Sequence, residues 1–441
     1  EINMIAKTRE AGNIPELTKI VKATNSLPTI RYVDPEYVYL AVTNARCPSG
    51  EVYVKPGDHV KVGQPIGIRK GPFFTQPIHS TVSGEVVGTV KKFHRSGKLV
   101  EFIQVKNDKK DEFHESCLNK RSDEEIAKLT REDFVKITHD CSLVGLGGSS
   151  FPTYIKFKTE DPIHTICVNA IECEPYLSAD HRLVLEFPFR ILRGITYAQQ
   201  AFGAKRAVIC IKKKYDDLYN TLTAAIARHP EYNIEVKRVG NYYPQGWEIE
   251  MIKTGLGVKV PAGVLPAKLG IMVFNVSTIV GLYKAIRYNM PVVKRNFTLT
   301  GNGITTPQNF RLRVGTSLKE LIDYSHGYKG DENKVMILGG PMMGANLVRD
   351  DAVITKTCTS CIILNEKKYV EEPCVRCGSC VYSCPAELQP VQIMQAVKNK
   401  DKDALVKLNI KSCILCGMCS YTCTSKIHLT DYCRKAKKLA Q

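Results

Sequence analysis

Two short cysteine runs near the C-terminus constrain this chain more than any other feature. Cys374, Cys377, Cys380 and Cys384 stand in CVRCGSCVYSCP, a C-x2-C-x2-C-x3-C-P run, and Cys413, Cys416, Cys419 and Cys423 repeat the spacing in CILCGMCSYTCT without the proline. Three cysteines so spaced wrap a loop around one face of an iron–sulfur cubane, and the fourth begins a helix leading to the other cluster. The ligands therefore swap. One 4Fe-4S cluster takes Cys374, Cys377, Cys380 and Cys423, and the second takes Cys413, Cys416, Cys419 and Cys384. The competing reading is a pair of zinc sites, but zinc takes two separated CxxC pairs and has no use for two matching runs of four. Two clusters joined by such short segments form a wire for electrons.

The N-terminus, EINMIAKTRE, lacks the basic-then-apolar layout of a secretory signal, so a cytoplasmic location is expected, where cysteines serve as ligands more than as disulfides. The nearest thing to a membrane span, 269–283, is short and interrupted by Asn275, Ser277 and Thr278. It reads as a core segment, and membrane contact would be peripheral at most. A net charge of +18 invites a nucleic-acid reading, yet no basic run is interleaved with aromatics, so no nucleic-acid partner is expected. Thiolates around two oxidised clusters offset about −4 of that charge. The rest suits an acidic partner protein, an anionic cofactor or a membrane surface, or is simply a solvated lysine-rich face.

A chain of 441 residues exceeds one hydrophobic core. A lead segment occupies 1–35. Over 36–110, β-branched residues and turn pairs (VKPGDHVKVGQPIG, PIHSTVSGEVVG) read as short strands. Over 120–290, apolar runs (HTICVNA, RAVICIKK, GIMVFNVS) alternate with helix-like stretches, which is α/β behaviour. Over 291–350, strands surround a single helix in a small α+β module, and 365–441 is helical around the cysteine runs, with MQAVKNKDKDALVKL as the stretch between them. The fold class is thus multidomain α/β and α+β.

The segment GLGGSSFPTYIK, 145–156, is a glycine-rich turn that lets backbone approach a phosphate or flat ring, although it matches neither the G-x-G-x-x-G fingerprint nor a P-loop. With VNAIECEPYLSADHRL, YYPQGWE, VPAGVLPAKLG, VFNVST, GNGITTPQNFRLRVGT and GGPMMG, followed by the paired cysteine runs, the chain resembles RnfC proteins and, more distantly, the flavin-containing NADH-binding subunit of respiratory complex I. The resemblance covers most of the chain in the family's order. It implies a barrel-sandwich domain of biotinyl/lipoyl type over 36–110, with Phe73 near the hairpin position where carriers place lysine, so no covalent biotin or lipoate is expected. It also implies an FMN/NADH domain over 120–290, an SLBB-type β-grasp over 291–350 and a ferredoxin-like domain with two 4Fe-4S clusters over 365–441.

By the same resemblance, Gly145, Gly147, Gly148 and Lys156 would contact flavin phosphate or ring, and Phe151 would stack on the nicotinamide cofactor. Asn169 and Asn275 match flavin-contacting asparagines, and Glu172 and Glu174 lie where acidic groups hold flavin or NADH. Asp180 and Glu248 are further cofactor-binding candidates. Each has a plain alternative: Phe151 as core, Asn169 as turn former, Glu172 as surface charge. No general base is required, because the cofactors carry the chemistry and the protein supplies position and field.

Three departures from the family matter. REAGNIPELT replaces a GGIH motif, Trp247 replaces a glycine, and KTCTSCIIL brings in Cys358 and Cys361 as a dithiol couple, a metal half-site or two buried small residues. The expectation is an oxidoreductase subunit that moves electrons from NADH through FMN to the clusters and on to a partner, or in reverse. Other subunits of an electron-transfer complex, with ferredoxin or a reductase, would be its partners. The alternatives are a soluble donor to a dedicated reductase and a flavin-less iron–sulfur relay.

Overall fold

The computed structural model describes residues 22–440 apart from 33, 96 and 368, so the segment that replaces the GGIH motif lies outside the described residues. Two antiparallel sheets open the fold. One orders Tyr37–Ala41, Leu99–Asn107, Gly84–Phe93 and His59–Val60, and the other Ser49–Val52, Pro65–Lys70 and Thr75–His79. Alternate residues such as Val38, Leu40, Val86, Ile103 and Val105 fill the space between them, the period-2 signature of strands with one wet face. Phe73, 74% exposed, lies in the turn between the last two strands of the smaller sheet.

The next unit is an all-parallel sheet ordered Ile234–Val239, Arg206–Lys212, Thr165–Asn169, Ile271–Asn275. Its strands are continuous apolar runs because both faces are covered. Ile166, Val168, Ile209 and Phe274 point into the core under the helices Pro188–Phe202 and Val276–Tyr288. Cys167, Val208, Cys210 and Val273 point the other way, against Met251 and Ile252 of the helix Glu248–Leu256. The first strand in sequence sits between the second and the fourth, so strand order reverses between Thr165–Asn169 and Ile271–Asn275. In open α/β sheets that reversal opens a crevice at the carboxyl ends of the strands.

A mixed six-stranded sheet follows, ordered Ile30–Tyr32, Gln308–Arg313, Lys294–Thr300, Ser360–Asn365, Lys334–Leu338, Ala345–Leu347, with the helix Leu318–Tyr324 packed on it. It reaches beyond the 291–350 window at both ends. A strand from before residue 35 pairs in parallel at one edge, and a strand from after 350 sits in the middle. The cysteine region folds into short helices, among them Ser379–Tyr382, Pro390–Lys398, Met418–Tyr421 and Leu429–Leu439. The stretch between the runs is two helices, Pro390–Lys398 and Lys402–Lys407, separated where Lys400 takes φ 55°. The two runs also repeat backbone conformation: Arg376 and Leu415, then Gly378 and Gly417, hold matching positive φ.

Candidate functional site

Asn169 and Asn275 end the two strands that flank the reversal and are register partners. The crevice is thus floored by two carboxamides. Asn275 caps the helix Val276–Tyr288 by accepting from Ser277 N (2.9 Å), and its Nδ2 donates to Asp180 Oδ2 at 2.8 Å. Asn169 accepts from Ile171 N (3.2 Å) and donates to the Gly246 carbonyl at 2.8 Å, holding the YYPQGWE turn beside the crevice.

The glycine-rich segment lies over the carboxyl end of the Ile271–Asn275 strand. A side chain at Gly147 would place its first carbon 2.8 Å from Asn275 Cγ, so only glycine permits this approach. Gly148 takes φ 109° and faces open space. Leu146 N is satisfied by Thr278 Oγ1 at 2.9 Å, whereas the amides of Gly147, Gly148 and Ser149 have no acceptor among the described residues. Successive free amides in such a turn suit an anionic or carbonyl-bearing ligand. Arg46, reaching from the antiparallel unit, donates to the Ser149 carbonyl (2.9 Å) and lies 5.8 Å from the centre of the Phe151 ring.

Several of the anticipated acidic and basic side chains are engaged within the protein. Buried Glu172 accepts from the amides of Asp180 (2.9 Å) and His181 (3.2 Å), capping the helix Ala179–Glu186, with Lys22 Nζ at 3.7 Å; burial pushes its carboxyl up. Asp180 accepts from Asn275 and Ser277. Lys156 donates to the Val273 carbonyl at 2.6 Å, and burial pushes its ammonium down. Glu248 is exposed at the first turn of its helix, next to Trp247. Glu174 accepts from the amides of Met342 and Met343, both at 3.0 Å, tying the GGPMMG loop to the crevice wall; burial pushes its carboxyl up to about 7.

Lys212 escaped notice in the sequence. It ends the strand Arg206–Lys212, is 5% exposed, and burial together with neighbouring Lys22 pushes its ammonium down to about 7. The signal was a lysine closing a strand that is apolar from Ala207 to Ile211.

The eight cysteines of the two runs gather in two groups of four. Cys374, Cys377, Cys380 and Cys423 line one cavity, and Cys384, Cys413, Cys416 and Cys419 another. Four thiolates spread around a cavity suit a cubane, each on its own iron. Cys433, also missed, lines the second cavity from the helix Leu429–Leu439. The nearness of its thiol draws Cys413 down to about 6 and Cys419 down to about 7. Cys358 and Cys361, 2% and 0% exposed, sit in the core of the mixed sheet, where burial pushes the Cys361 thiol up. Those surroundings favour packing over thiolate chemistry.

The second cysteine cavity abuts the crevice wall. Tyr243 donates its hydroxyl to the Cys416 carbonyl at 2.8 Å, and Tyr243, Cys416 and Met418 pack with Cys173 and Met342.

Comparison with known proteins agrees with this layout. Four family profiles match in succession: "RnfC Barrel sandwich hybrid domain" over 12–110, "Nuo51 FMN-binding domain" over 138–284, "SLBB domain" over 296–346 and "4Fe-4S dicluster domain" over 366–424. The C subunit of the Na(+)-translocating ferredoxin:NAD(+) oxidoreductase complex of Acetobacterium woodii is 33% identical over 347 residues, 78% of this chain and 77% of that protein. Its counterpart in the proton-translocating ferredoxin:NAD(+) oxidoreductase complex of Clostridium ljungdahlii is 31% identical over 81% of this chain and 77% of its own length. The counterpart in the ion-translocating oxidoreductase complex of Edwardsiella ictaluri is 31% identical over 96% of this chain, which spans 52% of that longer protein. In fold, the chain resembles a solved NAD+-reducing nickel–iron hydrogenase in its H2-reduced state, with TM-score 0.50 and 17% identity over 72% of this chain and 64% of the other. With successive domain matches and relatives of this identity and coverage, the chain belongs to the RnfC family, the C subunits of ion-translocating ferredoxin:NAD(+) oxidoreductase complexes.

Proposed function

We propose that the chain is an electron-transfer subunit that oxidises NADH at FMN in the switch-point crevice and passes single electrons through two 4Fe-4S clusters to a partner protein, or runs the same path from ferredoxin to NAD. The observation that carries this reading is the Tyr243–Cys416 hydrogen bond, which joins the crevice wall to a cluster loop. FMN suits the crevice, because the free amides of Gly147, Gly148 and Ser149 can hold an anion and the open backbone at Gly148 admits a flat ring. FMN, when bound, supplies the conversion of a two-electron donor into single-electron steps.

The chain's own part is position and field. Asn169 and Asn275 orient the ligand, Phe151 with Arg46 shapes the nucleotide side, and Glu174 keeps the GGPMMG loop against the crevice wall. The site lined by Cys384, Cys413, Cys416 and Cys419 receives electrons first, since it adjoins that wall. Cys374 and Cys377 are exposed, so the other cluster is the exit. The natural partners are the remaining subunits of a ferredoxin:NAD oxidoreductase complex, with ferredoxin as the far electron carrier. No helix among the described residues is long and apolar enough to cross a membrane, which accords with a peripheral place on the cytoplasmic face.

Trp247 favours a second reading, a flavin-less relay or soluble donor, because this indole follows Gly246, whose carbonyl Asn169 holds at the crevice. Anaerobic purification followed by a visible spectrum decides between them. Flavin absorbance with NADH-dependent bleaching of the clusters is the expected result. Intact clusters without flavin, unresponsive to NADH, would sink the first reading.

A further inference from the structure

Running back from the crevice, the helix Val276–Tyr288 presents Ser277, Val280, Gly281 and Lys284 along one face, at the spacing of a helical stripe. Facing it are Arg190, from the helix Pro188–Phe202, and Lys294, Arg295 and Arg311, from two paired strands of the mixed sheet. These residues line one small cavity, of about 40 Å³, with five cationic side chains and no carboxylate in its lining.

Their charges are poorly answered. Lys294 has Asp111 at 3.8 Å, and Arg190 and Arg311 both lie over the Phe187 ring, at 4.5 and 5.2 Å. Among the described residues Lys284 has no ion pair, and burial with Arg311, Arg190 and Lys294 around it pushes its ammonium down to about 7. Arg295 is 5% exposed. It donates through its two terminal nitrogens to the carbonyls of Lys356 and Leu146, both at 2.6 Å, and its Nε is buried with no partner. Nδ2 of Asn296, on the same lining, is likewise buried and unpaired. Crowded cations and unpaired donors each destabilise a fold, and a single bound oxyanion relieves both at once.

We propose that this cavity binds the phosphate group of a small anion, either free phosphate or a phosphomonoester. The side chains of Asn169, Asn275 and Lys156 do not line it, whereas Leu146 of the glycine-rich segment and Ser277, whose amide donates to Asn275, do, so the site backs onto the crevice with a lining of its own. Arg190, Lys284, Lys294 and Arg311 are half-buried at its rim and give it access to solvent. Arg295, which also holds the Leu146 carbonyl, places the anion behind the glycine-rich segment.

The test is equilibrium dialysis of the full chain, as purified with its clusters, against labelled inorganic phosphate at constant ionic strength, with glycerol phosphate as competitor. Saturable binding of one phosphate per chain is expected, weakened at least tenfold in Lys284→Met. In phosphate-free buffer this variant should melt no lower than the parent, because one repelling cation is gone. Arg190→Gln, on the rim, should weaken binding several-fold and serves if Lys284→Met does not fold. Tighter competition by glycerol phosphate assigns the site to an ester and weaker competition to the free ion, and either supports the proposal. No saturable binding, affinity unchanged in both variants, or release of flavin on adding phosphate would overturn it.

Discussion

The Cys433 thiol shares a cavity with Cys413 and Cys419, two proposed ligands of the cluster nearer the crevice. A hydrogen bond to a ligand sulfur stabilises the more negative, reduced cluster and raises its potential. If the neighbouring Cys433 thiol donates one such bond, worth about 1 kcal/mol, Cys433→Ala should lower that cluster's potential by about 40 mV while leaving both clusters assembled. An EPR-monitored redox titration reads this directly, and loss of the cluster would instead make Cys433 a ligand. The same comparison shows how far residues were legible in advance. The eight proposed ligands stand out by spacing, because a cubane imposes its geometry locally. Cys433 carries no such spacing, since the helix Leu429–Leu439 brings it to the cavity from outside the run. Asn169 and Asn275 were marked by family resemblance, but their shared place at the strand reversal belongs to topology, which a linear motif does not display.

Elements show a similar division. The parallel strands were legible as apolar runs, and the strands over 36–110 as β-branched runs between turn pairs, with the barrel-sandwich itself implied by resemblance. The strands Ile30–Tyr32 and Ser360–Asn365 were not assigned to the mixed sheet, because their partners lie far away in the chain and pairing is decided by the edge and gap they fill. Glu174 joins two such distant elements. Its ordinary pKa of 4.5 is pushed up to about 7 by burial, so the folded protein favours the protonated form. The stability this contributes is present below pH about 4.5 and is lost as pH rises to about 7. Glu174→Gln cannot ionise, so it should cost about 1–2 kcal/mol at pH 5, through one poorer amide bond, and progressively less, or nothing, at pH 8. Thermal unfolding of parent and variant at the two pH values checks this; a deficit that grows with pH would contradict the sign.

At the scale of the whole molecule, the order of the two clusters makes the ligand swap testable. The cavity of Cys384, Cys413, Cys416 and Cys419 touches the crevice wall through Tyr243, while Cys374 and Cys377 of the other face outward. If each run completes its neighbour's cluster, as proposed, a substitution late in one run should damage the cluster built mainly by the other. Cys423→Ser should therefore spoil the outer cluster alone: NADH should still bleach the inner one at a rate close to that of the parent, while delivery to ferredoxin falls at least tenfold. Cys384→Ser should spoil the inner cluster and slow reduction of the outer one by NADH at least tenfold, since electron transfer would then have to cross the gap the inner cluster normally bridges. Rapid-mixing absorbance with EPR of the frozen products distinguishes the two variants. If Cys423→Ser abolished the inner cluster's signal, the swap would be wrong. If Cys384→Ser left reduction of the outer cluster fast, the order of the wire would be reversed.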